Sequence, residues 1–140
     1  MDAHNIRYAV ATKDEYGAVR TLLRTAPIPA IDEAELSRNF SADVPPGTVC
    51  YVAKRRNAIV GAIFVITADI NDAKRVPCAV VTDAPPGSRI AQVVAISVDR
   101  ESRREGIATE LIWNAVRRLV SQGFPIKAVR SRCNELYMTA

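Results

Sequence analysis

Residues 93–111, VVAISVDRESRREGIATEL, decide the fold of this chain, because the apolar period changes twice within them. Val93, Val94, Ile96 and Val98 read as a short buried strand, residues 99–105 are almost all polar, and Gly106 opens an apolar spacing that suits a helix. A strand, a turn and a helix N-terminus follow one another.

Such a turn leaves the first backbone N–H groups of the helix without acceptors, and those donors together with the helix dipole make a site for an anion. Gly106 and Ala108 contribute by what they lack: with no bulk at these positions, a diphosphate can lie directly on the amides. Arg100, Arg103 and Arg104 raise the local positive potential. Taken alone, the pattern is equally compatible with an ordinary strand-to-helix connection.

The order of the residues narrows the reading. Arg103-x-x-Gly106-x-Ala108, after Val98-Asp99 and before Thr109-Glu110-Leu111, closely resembles the coenzyme A signature of the GCN5-related N-acetyltransferases (GNAT), Q/R-x-x-G-x-G/A. It lies after an apolar strand, before an amphipathic helix and in the second half of a small chain, where that family carries it. Neither G-x-x-x-x-G-K-[ST] nor G-x-G-x-x-G occurs. The resemblance implies an α/β fold, a single-domain three-layer sandwich around a mixed, mostly antiparallel sheet. It also implies transfer of an acetyl group from acetyl-CoA to a primary amine by direct attack. On the family pattern, Ile96, Ser97 and Val98 would pair with the pantetheine arm and polarise the thioester carbonyl, and Asn134 would contact the same arm. Arg103, Arg104, Glu105, Gly106, Ile107, Ala108 and Thr109 would take the diphosphate.

Composition agrees with this. A chain of 140 residues with 49% hydrophobic and 24% charged residues suits one compact domain over residues 1–140. The N-terminus has an early acid and no long apolar run, and no segment approaches a membrane span, so a cytoplasmic protein without membrane association is expected. Cys50, Cys78 and Cys133 are odd in number and far apart, with no C-x-x-C pair, which indicates neither a disulfide framework nor a metal site. His4 is the single histidine and lies close to the N-terminus, which disfavours a Ser/His or Cys/His nucleophile. The net charge of +4 raises nucleic-acid binding, through Lys54-Arg55-Arg56, Lys74-Arg75, Arg117-Arg118 or Arg130 and Arg132. With few aromatics to stack bases, a solvated basic surface is the better reading.

Toward the N-terminus, residues 6–11 (IRYAVA) alternate enough for a first strand, and Thr12 with Glu15 forms a capping-box pattern that starts a helix. Val19, Leu22, Leu23 and Ala26 supply its apolar stripe, and Pro27 and Pro29 end it. A second helical pattern covers residues 30–40, with Asp32 as cap and Ala34, Leu36 and Phe40 as contacts. Residues 48–53 and 58–67 are β-rich and form a hairpin around Lys54-Arg55-Arg56-Asn57. Ile59-Val60-Gly61-Ala62 also resembles the family, in which a glycine marks that strand; a bulge or a close backbone approach explains the glycine equally well. Residues 68–89 mix charges, three prolines and the apolar run Ala79-Val80-Val81, and read as an insertion that shapes an acceptor pocket or extends the hairpin. Ile107, Leu111, Ile112, Ala115, Val116, Leu119 and Val120 give the apolar face of a helix closed by Gly123, with Trp113 at its margin. Residues 125–130 (PIKAVR) are a candidate fifth strand. The order β-α-α-β-β-β-α-β matches the first part of the family's fold.

The catalytic groups are less legible. Many family members place a tyrosine about two helical turns beyond the asparagine, whereas Tyr137 follows Asn134 by three residues; it is the candidate acid for the leaving sulfur. No general base is visible, since the acids between Thr67 and Val98 are Asp69, Asp72 and Asp83, all in the inserted segment. Two functions stand: an N-acetyltransferase acting on a small-molecule or peptide amine, and a catalytically reduced GNAT-like module that binds CoA or a protein partner without turnover. Compared with the family, the chain reads as C-terminally short, which would leave the fifth strand without an outer neighbour. An open edge invites pairing, so a homodimer or a protein partner covering residues 125–130 is expected.

Overall fold

The computed structural model describes residues 5–24, 33–38, 40, 47–69, 89–131 and 136–138. β1 (Ile6–Val10) is followed by a 3-10 turn at Lys13–Glu15, α1 (Tyr16–Arg24) and α2 (Glu33–Arg38). Then come β2 (Thr48–Arg55), β3 (Ala58–Asp69), β4 (Arg89–Val98), a 3-10 turn at Arg100–Ser102, α3 (Ile107–Ser121), β5 (Ile126–Ser131) and β6 (Leu136–Met138). The strands form one sheet in the order β1-β2-β3-β4-β5-β6, antiparallel throughout except between β4 and β5. Helix α3 covers one face and α1 with α2 the other, so the three-layer α/β sandwich is the observed architecture.

Strand alternation divides the core between these faces. On β2, Val49, Tyr51 and Ala53 face α3, whereas Cys50 and Val52 face α1 and α2. Fully buried Ile107, Leu111 and Leu119 anchor α3, and burying each side chain contributes roughly 1.5–3 kcal/mol. Val120, expected on that face, is 51% exposed, and Ala34 of α2 is also exposed; only Leu36 and Phe40 of that pattern are buried. Ala26 lies outside the described residues.

The capping pattern at Thr12 opens the 3-10 turn and not α1 itself, with the Thr12 backbone N–H donating to Glu15 Oε1 at 2.8 Å. The β2–β3 turn is tighter than expected. Lys54 and Arg55 belong to β2, and Arg56 and Asn57 alone make the connection at φ 52° and 69°. Two residues at positive φ give the backbone twist that matches a right-handed hairpin.

Two bulges shape the sheet. Ala53 pairs with Gly61 and Lys54 with Ile59, which leaves Val60 as an extra residue on β3. A Cβ at Gly61 would stand 3.1 Å from both Ile107 Cγ2 and Leu111 Cδ1, so this glycine serves a close approach of α3 beside a bulge. On β4, Phe64 pairs with Ala95 and Val65 with Val93, leaving Val94 extra; Val94 and Ala95 then both join the α1/α2 core.

Two expectations are corrected here. Strand β4 begins at Arg89, four residues before Val93, because β3 continues to Asp69 and pairs with it, and β5 pairs from the other side. The remainder of the inserted segment, residues 70–88 with Asp72, Asp83 and Ala79-Val80-Val81, lies outside the described residues. The second correction concerns β5, whose residues Ala128, Val129 and Arg130 pair with Met138, Tyr137 and Leu136 of β6. The outer edge expected to be open there is filled by the same chain. No helix among the described residues is long and apolar enough to cross a membrane.

Candidate functional site

The parallel ladder between β4 and β5 ends at Val93, opposite Ser131. Strand β4 continues for five more residues to Val98, and among the described residues no strand lies beside that stretch on the β5 side. The bulge at Val94 falls where the two strands part. At the end of this free edge lies a cavity of about 440 Å³. Ile96, Ser97 and Val98 of β4, Ser102, Arg103 and Arg104 of the turn, and Gly106, Ile107, Ala108 and Thr109 at the start of α3 line it.

Backbone hydrogen bonds tie the turn to β3 and close it on itself. The Asp99 N–H donates to the carbonyl of the bulged Val60 at 2.7 Å, and the Ser102 N–H donates to Asp99 O at 2.9 Å. Arg103 Nε donates back to Val98 O at 3.2 Å and stitches the turn to the strand end. Arg104 and Gly106 both take positive φ, 69° and 78°. The first helical bond of α3 runs from the Glu110 N–H to Gly106 O at 3.1 Å, so the amides of Ile107, Ala108 and Thr109 have no acceptor within the helix. The N-cap, Gly106, offers them no side-chain acceptor.

A Cβ at Gly106 would meet nothing within 4 Å, and Gly106, Ile107, Ala108 and Thr109 border the cavity. The glycine answers to backbone conformation and not to crowding. Donors without acceptors at a helix N-terminus, an open approach and exposed Arg103 and Arg104 fit an anionic group of diphosphate type.

Nine of the eleven residues expected to hold the cofactor line this one cavity. Glu105 does not. Its two carboxylate oxygens accept from Arg55 Nη2 at 2.8 Å each, which turns the side chain toward β2 and away from the anion site. Asn134 lies outside the described residues, and of Tyr137 only the backbone is described, in β6 opposite Val129. Ser102 was missed in the sequence; it is 1% exposed, and its Oγ accepts from Arg55 Nη1 at 3.2 Å. Strand alternation with Val49, Tyr51 and Ala53 was the available signal that Arg55 would face this side. Among the described residues, no carboxylate or imidazole lines the cavity. Nearby on β1, half-buried Tyr8 has its phenol pushed up by burial, then by the Glu110 and Glu105 carboxylates.

The sequence matches the family model described as acetyltransferase (GNAT) family over residues 16–135. The chain belongs to the GNAT family. The solved structures agree on the fold. An acetyltransferase from Vibrio fischeri is similar at TM-score 0.60 and 14% identity, over 93% of this chain and 98% of that one. The aminoglycoside N-acetyltransferase AAC(6')-Iy in complex with CoA is similar at TM-score 0.64 and 15% identity, over 90% of this chain and 75% of that one. Arabidopsis thaliana NAA60 in complex with a bisubstrate analogue is similar at TM-score 0.66 and 18% identity, over 90% and 73%. No curated protein matches this GNAT chain significantly.

Proposed function

We propose that this GNAT protein transfers the acetyl group of acetyl-CoA to a primary amine by direct attack. One observation carries the reading: a helix N-terminus whose N-cap is Gly106 borders a cavity at the end of a β4 edge that, among the described residues, has no strand beside it. Acetyl-CoA, when bound, supplies an acyl group activated as a thioester.

In this reading, the amides of Ile107, Ala108 and Thr109 hold the diphosphate, with Arg103 and Arg104 adding positive charge. The edge of Ile96, Ser97 and Val98 takes the pantetheine arm as a neighbouring strand would, and its N–H groups polarise the thioester carbonyl. Asn134 is assigned to the same arm. Protonation of the leaving sulfur falls to Tyr137 or to water, and a water chain or an acidic group of the acceptor takes the amine proton.

The acceptor class is a small-molecule or peptide amine. Relatives of the same fold include an aminoglycoside acetyltransferase in complex with sisomicin and a ribosomal-protein-alanine N-acetyltransferase, which span that range. A thiol-release assay over a panel of aminoglycosides, polyamines, amino acids and N-terminal peptides tests the proposal. Amine-dependent release of CoA is expected. CoA binding with no release for any amine would identify a binding module instead.

A further inference from the structure

We infer that Arg55, at the end of β2, is the positioning residue of the diphosphate turn. The inference rests on the CoA-binding reading above and adds to it a residue outside the turn.

The geometry is specific. Arg55 Nη1 donates to Ser102 Oγ at 3.2 Å, and Nη2 donates to both carboxylate oxygens of Glu105 at 2.8 Å. Ser102 and Glu105 stand on either side of Arg103-Arg104, and Glu105 directly precedes Gly106. One planar guanidinium thus brackets the segment that carries the positive-φ residue Arg104 and leads into the positive-φ Gly106. A non-glycine residue in that region is strained and persists only where its surroundings hold it. Arg55 supplies that hold from a strand 47 and 50 residues away in sequence.

The guanidinium is not an ordinary surface charge. Its Nε is buried without a hydrogen-bond partner, and its side chain is 23% exposed. It also neutralises the carboxylate that directly precedes Gly106. Left unpaired, Glu105 would repel a diphosphate on the neighbouring amides. A lysine would keep the charge but not the fork, because an ammonium is a compact point donor that cannot span both acceptors in this geometry.

The test compares CoA with S-acetylpantetheine, which lacks the diphosphate, by calorimetric titration of the intact protein, Arg55→Ala and Arg55→Lys. Loss of the charge-assisted bonds in Arg55→Ala should weaken CoA binding by about tenfold or more. S-acetylpantetheine binding should change by less than about twofold, since that ligand does not reach the turn. Arg55→Lys should recover less than half of the loss on a logarithmic scale. If Arg55→Ala does not fold, Ser102→Ala, which removes one arm of the bracket, must show the same selective loss. Equal losses for both ligands would mean general destabilisation, and full recovery by lysine would mean charge without positioning; either overturns the inference. So would unchanged CoA affinity in Arg55→Ala. If the parent protein itself does not bind CoA, the CoA-binding reading fails first and this inference with it.

Discussion

Lys54 and Arg55, adjacent at the end of β2, leave the strand on opposite faces, and each meets a carboxylate at the entry of the helix on its own side. Lys54 pairs with Glu15 before α1, and Arg55 pairs with Glu105 before α3. The pleat alternates consecutive side chains, so one dipeptide fastens both helical layers to the hairpin. Both cations are thus paired within the fold.

The Glu15 side leads to a pH dependence. Burial pushes the Glu15 carboxyl up, but hydrogen bonds from Lys54 and Thr12 and the Lys54 charge outweigh it, and the net displacement is below the ordinary 4.5. A depressed carboxylate contributes stability above its unfolded value and loses it as the pH falls through the folded value. Urea unfolding should show the parent more stable than Glu15→Gln at neutral pH, with the gap closing below pH 4.5. A gap that is constant between neutral pH and acid would contradict the assignment.

At Gly106 the two reasons for glycine separate. Alanine would find open space but a left-handed backbone, and the strain should cost about 1–2 kcal/mol of stability. Glutamate adds a carboxylate over the helix N-terminus. Ligand bound only to the folded state stabilises the parent by roughly 2.7 kcal/mol at a hundredfold excess over Kd. The CoA-induced rise in melting temperature should survive in Gly106→Ala and vanish in Gly106→Glu. An undiminished rise in a folded Gly106→Glu protein would remove CoA from this turn.

Gly61 is needed for the opposite reason. A side chain there would press on Ile107 and Leu111 at the first turns of α3, and overpacking of this kind costs about 1–3 kcal/mol. Gly61→Val should lower the urea midpoint and, by displacing the start of α3, reduce the CoA-induced shift as well. A midpoint equal to that of the parent would show that α3 can give way freely.

Tyr137 departs from the family spacing, so Tyr137→Phe is expected to slow acyl transfer by less than the roughly hundredfold typical of losing a general acid. Steady-state rates with CoA affinity measured in parallel decide this. A larger loss at unchanged affinity would make Tyr137 the acid.

Because β6 pairs with Ala128, Val129 and Arg130 within one chain, the β5 amides engaged in that ladder should be protected from hydrogen exchange independently of protein concentration. Protection that appears only as the protein is concentrated would instead point to a second copy covering β5, the homodimer expected from an open edge.

The strand, polar turn and helix start in residues 93–111 were legible because each is a local pattern: apolar alternation, a break, then a helical period behind a glycine. The same stretch carried the family signature, and with it most of the cavity lining. The pairing of Glu105 was not legible, for a physical reason. Its place in the signature says nothing of Arg55, whose guanidinium reaches it only once β2 lies beneath the turn.

The sequence by itself determined what neighbours along the chain decide, namely the order of elements from β1 to β5, the alternation that divides the core and the small residue at Gly106. The tertiary structure alone decided what distant residues do to one another. Residues 89–92 have modest strand propensity and become strand by pairing with β3 and β5, and the three residues of β6 become strand by pairing with β5. The bulges at Val60 and Val94 exist only as a mismatch in register between two strands. Those cross-chain hydrogen bonds and contacts depend on spatial proximity that no local period encodes, and they are what open the β4 edge and bring Arg55 to the turn.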